Sequence, residues 1–399
     1  MKKLLLLGGS RYLRPVLSAA KKLGIYTITC DYLPENFAHK YSDEFANINI
    51  VDKDAVLAFA QSKKIDGVMS FACDPGVITA AYVAEKLCLP SIAPFGSVEL
   101  LQNKGAFRKF LKENSFVVPF SKSYSQKDLA MAELASFHWP VIVKPCDSAG
   151  SKGVSKVLGS SELSTAIDKA LSYSRSHEFI IEDFIQQEGY SSDCDCLCVN
   201  GKLEFVSFSA QHFDIASASP YTPSAYSWPS TFNENQINIL KSELARLVDL
   251  LHIKNTLLNV ETRADKAGNL YLMEVSPRGG GNRLAEMVAH VYNVDIISRA
   301  VALSVGLPYE KIQYNNSKNF WAEVILHSKT KGKFKSLSIT PSLHPSLIEI
   351  DLWVKPGDVV SAFENASHAI GTLIFKFDTK DKLDDFFHNL DAYINVNIE

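Results

Sequence analysis

Glu261 and Glu274 carry the strongest chemical signal in this chain. They lie in Asn259-Val260-Glu261-Thr262-Arg263 and Leu272-Met273-Glu274-Val275-Ser276-Pro277-Arg278, thirteen positions apart. Asp265-Lys266-Ala267-Gly268-Asn269 between them is a string of turn formers, and both flanks are apolar and strand-like. The segment reads as a β-hairpin, which can set two distant carboxylates side by side. Two close anions repel, and each then resists ionisation. They are either a solvated cross-strand pair or the ligands of a divalent cation. Magnesium fits the second reading, because it takes one or two carboxylates and completes its shell with water and phosphate oxygens. Arg278, four residues beyond Glu274, adds a planar cationic fork suited to phosphate.

Other segments point toward the same chemistry. Lys144 ends the apolar run Val141-Ile142-Val143-Lys144-Pro145, where an ammonium can reach past a sheet edge toward an anion. Asp147-Ser148-Ala149-Gly150-Ser151-Lys152-Gly153-Val154 follows it. This small-residue loop is either a surface hairpin tip or a place where backbone N–H groups approach phosphate oxygens. Phe179-Ile180-Ile181-Glu182-Asp183-Phe184-Ile185 reads as a strand ending in acids. Such an edge can offer backbone hydrogen bonds to a flat base, with Glu182 accepting from an exocyclic amine and Glu188 from a ribose hydroxyl. An ordinary edge strand is the plainer reading. Cys194, Cys196 and Cys198 alternate at period two and share one strand face. Adjacent positions on one strand splay their ligands, so packed core thiols are expected rather than zinc. His212 is expected to be structural, with a general-base role as the competing reading.

The elements that must hold these residues are legible in outline. Of the 399 residues, 46% are hydrophobic and 21% charged, which predicts buried cores. The net charge of −3 argues against a nucleic-acid binder. No apolar run is long enough to span a bilayer. The start, with Leu4–Leu7 as its apolar part, reads as a first strand rather than a signal segment. Seven cysteines without framework spacing predict a reducing, cytoplasmic setting. The first ninety residues alternate strand and helix. Strands are expected at Leu4–Leu7, Ile25–Cys30 and Gly67–Phe71, giving a parallel sheet. The turn Gly8-Gly9-Ser10-Arg11 and the strand-ending Asp31 are each either a structural feature or a ligand contact. The turn lacks the third glycine of a dinucleotide fingerprint, which argues against a nicotinamide dehydrogenase. Ile237, Leu240, Leu244, Leu247 and Leu251 mark one buried face of a helix. The last ninety residues read as α+β, with a strand at Gly371–Phe377 and a helix from Asp381.

The order Lys104, Lys144, glycine loop, acidic hinge, Glu261, Glu274, Arg278 resembles the ATP-grasp superfamily. The likeness is to the carboxylate–amine ligases near carbamoyl-phosphate synthetase, biotin carboxylase and the amino-acid ligases, over about residues 1–310. The Val-Lys-Pro strand and Glu-Val-Ser-Pro-Arg-Gly-Gly-Gly are its most specific parts. The resemblance implies a multidomain α/β and α+β protein. Residues 1–93 would form an N-terminal parallel α/β (pre-ATP-grasp) domain. Residues 94–310 would form a two-lobed ATP-grasp domain, with its small lobe at about 120–186, and residues 311–399 a small α+β domain.

The resemblance also implies roles. Lys104 and Lys144 would contact the nucleotide. Ser148, Gly150, Ser151 and Gly153 would belong to the loop that closes over the phosphates. Glu182, Asp183 and Ile185 would form the adenine hinge, and Glu188 would meet the ribose. Glu261, Glu274 and Ser276 would face magnesium. The family usually has asparagine where Ser276 stands; Asn282 is a candidate for the missing amide. Arg278 and Arg283 would act on the phosphoryl group and the acid substrate. The implied cofactors are ATP and one or two magnesium ions, with manganese as a substitute. The implied activity activates a small carboxylate as an acyl phosphate and passes it to an amine. Alternatives are a carboxylating or amidating enzyme of nucleotide precursors, and a non-catalytic ATP sensor. The expected partners are a carboxylate and an amine, with no nucleic acid and no membrane; homodimerisation is left open. Specificity is expected in residues 210–229.

Overall fold

A computed structural model describes residues 1–90, 92–313 and 318–399. The chain opens with a parallel sheet in the order Glu44–Asn47, Tyr26–Asp31, Lys3–Leu7, Gly67–Ser70. Leu4–Leu7 are fully buried, Leu4 and Leu6 in one core and Leu5 and Leu7 in another. A strand covered by helices on both faces needs this unbroken apolar run. The edge strand Glu44–Asn47 went unread in the sequence because it has no apolar run or alternation. The helix Asp74–Lys86 begins just after the fourth strand, so Asp74 sits at the carboxyl edge of the sheet.

A small antiparallel sheet follows, in the order Ser121–Tyr124, Phe179–Asp183, Val141–Pro145, Ser155–Val157. The helix Ser160–Tyr173 covers one face of it. The next sheet is antiparallel, in the order Lys202–Val206, Ser192–Val199, Thr256–Ala264, Leu270–Ser276. Its Cys194, Cys196 and Cys198 point into the core under the helix Glu234–Leu250. That helix starts from an Asn233–Gln236 capping box and buries Leu240, Leu244 and Leu247.

The C-terminal part differs from the expected division. Ala210–Phe213 and Pro223–Trp228 leave their neighbours in sequence and join a five-stranded sheet with Phe320–Leu326, Gly371–Phe377 and Leu347–Leu352. Trp228 pairs with Trp321 across this junction. A boundary near residue 310 therefore cuts through one sheet. Val359–Val360, Gly332–Ile339 and Ile394–Ile398 form a further sheet. Among the described residues, no helix is long and apolar enough to cross a membrane.

Candidate active site

The hairpin forms with Glu261 and Glu274 as direct cross-strand partners. Glu261 is also paired with Asp193 on its other side, so three acids make a row across three strands. The next row is Asp195, Asn259 and Ser276. Strand pleating explains the pattern: alternate residues face the cleft while the cysteines face the core. The sequence held this signal, because Asp193 and Asp195 alternate with the thiols.

Cations already stand on the two glutamates. Arg263 donates from Nε and Nη2 to Glu261 Oε1 at 3.2 and 2.8 Å. Lys104 Nζ lies 3.3 Å from Glu274 Oε2 and donates to the Ser148 carbonyl at 2.8 Å. Burial would raise the Glu261 pKa, but Arg263 outweighs it and holds it below the ordinary value. Asp193 has no such partner. Burial, then Glu261 and Asp195, push it up to about 8, although Asn259 Nδ2 donates to it at 2.7 Å. Burial likewise raises Asp195 to about 6, against two hydrogen bonds from the Gly280 N–H.

Lys104, Asp193, Asn259, Glu261, Arg263 and Glu274 line a cavity of about 650 Å³, together with Lys144, Ser148, Gly150, Ser151, Asp183 and Ile185. Ile185, Tyr271 and Met273 form a small apolar cluster at one end, with Ile142 beside it in the lining. The glycine loop arches over the cleft, and Ser151 Oγ donates to the Tyr221 carbonyl at 3.0 Å. Gly150 and Gly153 have φ of +69° and +73°. A Cβ at Gly153 would come within 3.1 Å of Tyr173, whereas Gly150 has open space. Gly153→Ala is therefore expected to destabilise the fold by about 1–2 kcal/mol for the left-handed backbone, plus a steric term that Gly150→Ala lacks. Denaturant unfolding of the two variants side by side checks the order.

Several expected contacts are arranged differently. The Glu182 side chain does not reach for an exocyclic amine. It is 2% exposed, accepts from Arg108 Nε at 2.9 Å and is ion-paired with Lys144. The Asp183 and Phe184 N–H groups are also taken, by the carbonyls of Phe120 and Pro140. Glu188 is exposed and does not line the cleft. The Ser276 hydroxyl is engaged by protein groups: it donates to Asp74 Oδ1 and accepts from Gln102, both at 2.9 Å. Arg278 is held bidentately by Asp74, at 2.9 and 2.7 Å, and its Nη1 is spent on Asn259 and the Gly279 carbonyl. Arg283 lies in a different cavity, bound by Glu286, Glu349 and Thr372. His212 points away from the cleft, stacked on Phe387, while its neighbours Gln211 and Phe213 line the cleft. Asp74, Arg108, Asp193, Asp195 and Asn259 are the polar residues that sequence reasoning passed over.

The fold is of the ATP-grasp type. Residues 137–286 match the ATP-grasp domain family, and the chain carries an ATP-grasp domain. It is 22% identical over 333 residues to the C-terminal section of the carbamoyl phosphate synthase large chain of Methanocaldococcus jannaschii, covering 82% of this chain and 52% of that one. The chain spans about half the length of the curated relatives it matches. An L-amino acid ligase from Bacillus licheniformis superposes with a TM-score of 0.81 at 18% identity, over 100% of this chain and 99% of the other. A phosphoribosylglycinamide synthetase from Anaerococcus prevotii gives 0.77 at 21% identity, over 100% of both. At these identities the structural likeness speaks for the fold.

Proposed function

We propose that the chain is an ATP- and magnesium-dependent ligase that joins a small carboxylate to an amine. The observation that carries this reading is the pairing of Glu261 with Glu274 inside the cavity that also holds Lys104, Lys144 and the glycine loop. Among the described residues, no three His, Cys, Asp or Glu side chains gather at a metal-holding point. Magnesium needs no such cage, since two carboxylates, water and phosphate suffice. The donor set fits: two part-exposed carboxylates are each held now by a protein cation. Glu261 and Glu274 would hold the metal, which supplies charge neutralisation for the phosphates.

The chain's own groups do the rest. The Ile142, Ile185 and Met273 surface takes the flat base. With the metal held by the glutamates, Lys104 and Arg263 would be free to contact phosphate oxygens. The substrate carboxylate oxygen attacks the γ-phosphorus, the bond to ADP breaks, and ADP leaves with the electron pair. The amine nitrogen then attacks the acyl carbon, the bond to phosphate breaks, and the amine loses a proton. The glycine loop excludes water from the acyl phosphate.

Residues 1–93, 94–310 and 311–399 serve in this reading as substrate, nucleotide and closing units, with residues 210–228 lent to the last. Seven cysteines without a disulfide suit a cytoplasmic setting. The test is hydroxylamine trapping. Protein, ATP and magnesium with a panel of carboxylic acids should yield a hydroxamate and ADP for at least one acid. ATP binding without hydroxamate from any acid would defeat the proposal.

A further inference from the structure

We infer that the amine accepted by this site is neutral or positively charged and bears no phosphate or carboxylate. The inference rests on the ligase reading and concerns the end of the cleft nearest the parallel sheet, which that reading leaves to the amine because the glutamates, the lysines and the glycine loop take the nucleotide. Five cationic residues line the whole cavity: Lys104, Lys144, Lys152, Arg263 and Arg278. Four of them are ion-paired, with Glu274, Glu182, Glu261 and Asp74 respectively. Lys152 rides on the glycine loop, which the ligase reading sets over the phosphates. The first three are also the groups that a triphosphate would draw on.

Among the described residues, the one cation left beside the far wall is Arg278, and Asp74 holds it bidentately. That wall is built from Tyr12, Asp31, Asn36 and Asn282. Asp31 is 6% exposed and accepts from the Leu33 N–H at 3.1 Å and from Asn36 Nδ2 at 2.9 Å. Tyr12 donates to Asn282 Oδ1 at 3.2 Å. The arginines nearest in sequence turn elsewhere. Arg11 lies over the Phe37 and Trp353 rings, and Arg14 approaches Tyr41. Both line the separate cavity that holds Arg283.

An anionic group carried into this end would lose water without gaining an unpaired cation, and it would meet Asp31 as a like charge. An ammonium or a hydroxyl gains what the wall offers: a carboxylate, two amides and a phenol. The acceptor is thus an amino alcohol, an amino sugar or a diamine rather than a phosphorylated amine or an amine with a free acid.

Matched amines test this, each competing with hydroxylamine for an acid already shown to give a hydroxamate. The pairs are ethanolamine against phosphoethanolamine, glucosamine against its 6-phosphate, and 1,4-diaminobutane against 4-aminobutanoate. In at least one pair the non-anionic member should form product with kcat/KM at least tenfold above its anionic partner. Asp31→Lys should shrink or reverse that ratio, and Asp31→Asn, the milder change, should narrow it should the lysine variant not fold. A preference for the anionic member, competition by no neutral or cationic amine, or a ratio unmoved in the folded Asp31 variant each overturns the inference. Failure of hydroxamate formation with every acid removes the ligase reading itself, and the inference with it.

Discussion

Glu274→Gln is expected to lower turnover by roughly three orders of magnitude, with the fold intact. The substitution keeps shape and removes one negative charge. Losing an anionic ligand at the phosphates forfeits several kcal/mol of charge stabilisation, and each 1.4 kcal/mol is tenfold in rate. Stability changes little because the Glu274 side chain is 34% exposed and its contact with Lys104 is partly screened by solvent. Lys104 also keeps its bond to the Ser148 carbonyl. Phosphate release, measured against magnesium concentration, separates the outcomes. Loss of rate with an unchanged thermal midpoint supports the metal assignment. Near-normal kcat/KM at limiting magnesium would remove Glu274 from the site. Glu261→Gln should act in the same direction, but it also frees Arg263, which donates to Glu261 through two nitrogens.

The hairpin was legible because local chemistry dictated it. Turn formers between two apolar strands fix the pairing, while a bulge between Glu261 and Thr262 sets Glu261 opposite Glu274. The buried first strand and the leucine face of the Glu234–Leu250 helix were legible for the same reason. What stayed hidden is long-range. Asp74 begins a helix of the parallel sheet, yet it closes on Arg278 and Ser276 two hundred positions away. A lone acid in a sequence carries no mark of such a partner. Arg108 reads as a solvated helix residue until the helix Lys104–Glu113 is laid against the small sheet. The strands within 210–228 looked like part of the nucleotide unit because pairing across such a gap has no local signature. The site residues that moved share one cause. In the sequence Glu182, Ser276 and Arg278 read as free groups aimed at a ligand, whereas each is held by a protein partner that the sequence does not name.

The largest expected stability effect lies in that buried network. Glu182 sits between Arg108 and Lys144, and both Glu182 and Arg108 are 2% exposed. Arg108 Nη1 also reaches the Leu272 carbonyl at 3.4 Å, which ties the small sheet to the hairpin of Glu261 and Glu274. Glu182→Ala would leave two buried cations without their anion, at about 3–5 kcal/mol. Glu182→Gln should lose less, since an amide oxygen can still accept from Arg108. The pH dependence identifies the cause. Burial opposes ionisation of Glu182, but Arg108 and Lys144 prevail and bring its pKa down to about 2. An unfolded glutamate titrates at about 4.3. The folded value is the lower one, so this stabilisation is whole above about pH 4.3 and drains away as the pH falls toward 2. The wild-type unfolding free energy should therefore fall more steeply than that of Glu182→Gln across this window. Parallel curves would mean that Glu182 is not the anion that holds the two cations. Turnover adds a second distinction: Glu182→Ala should fail by unfolding, whereas Glu274→Gln should fail while folded.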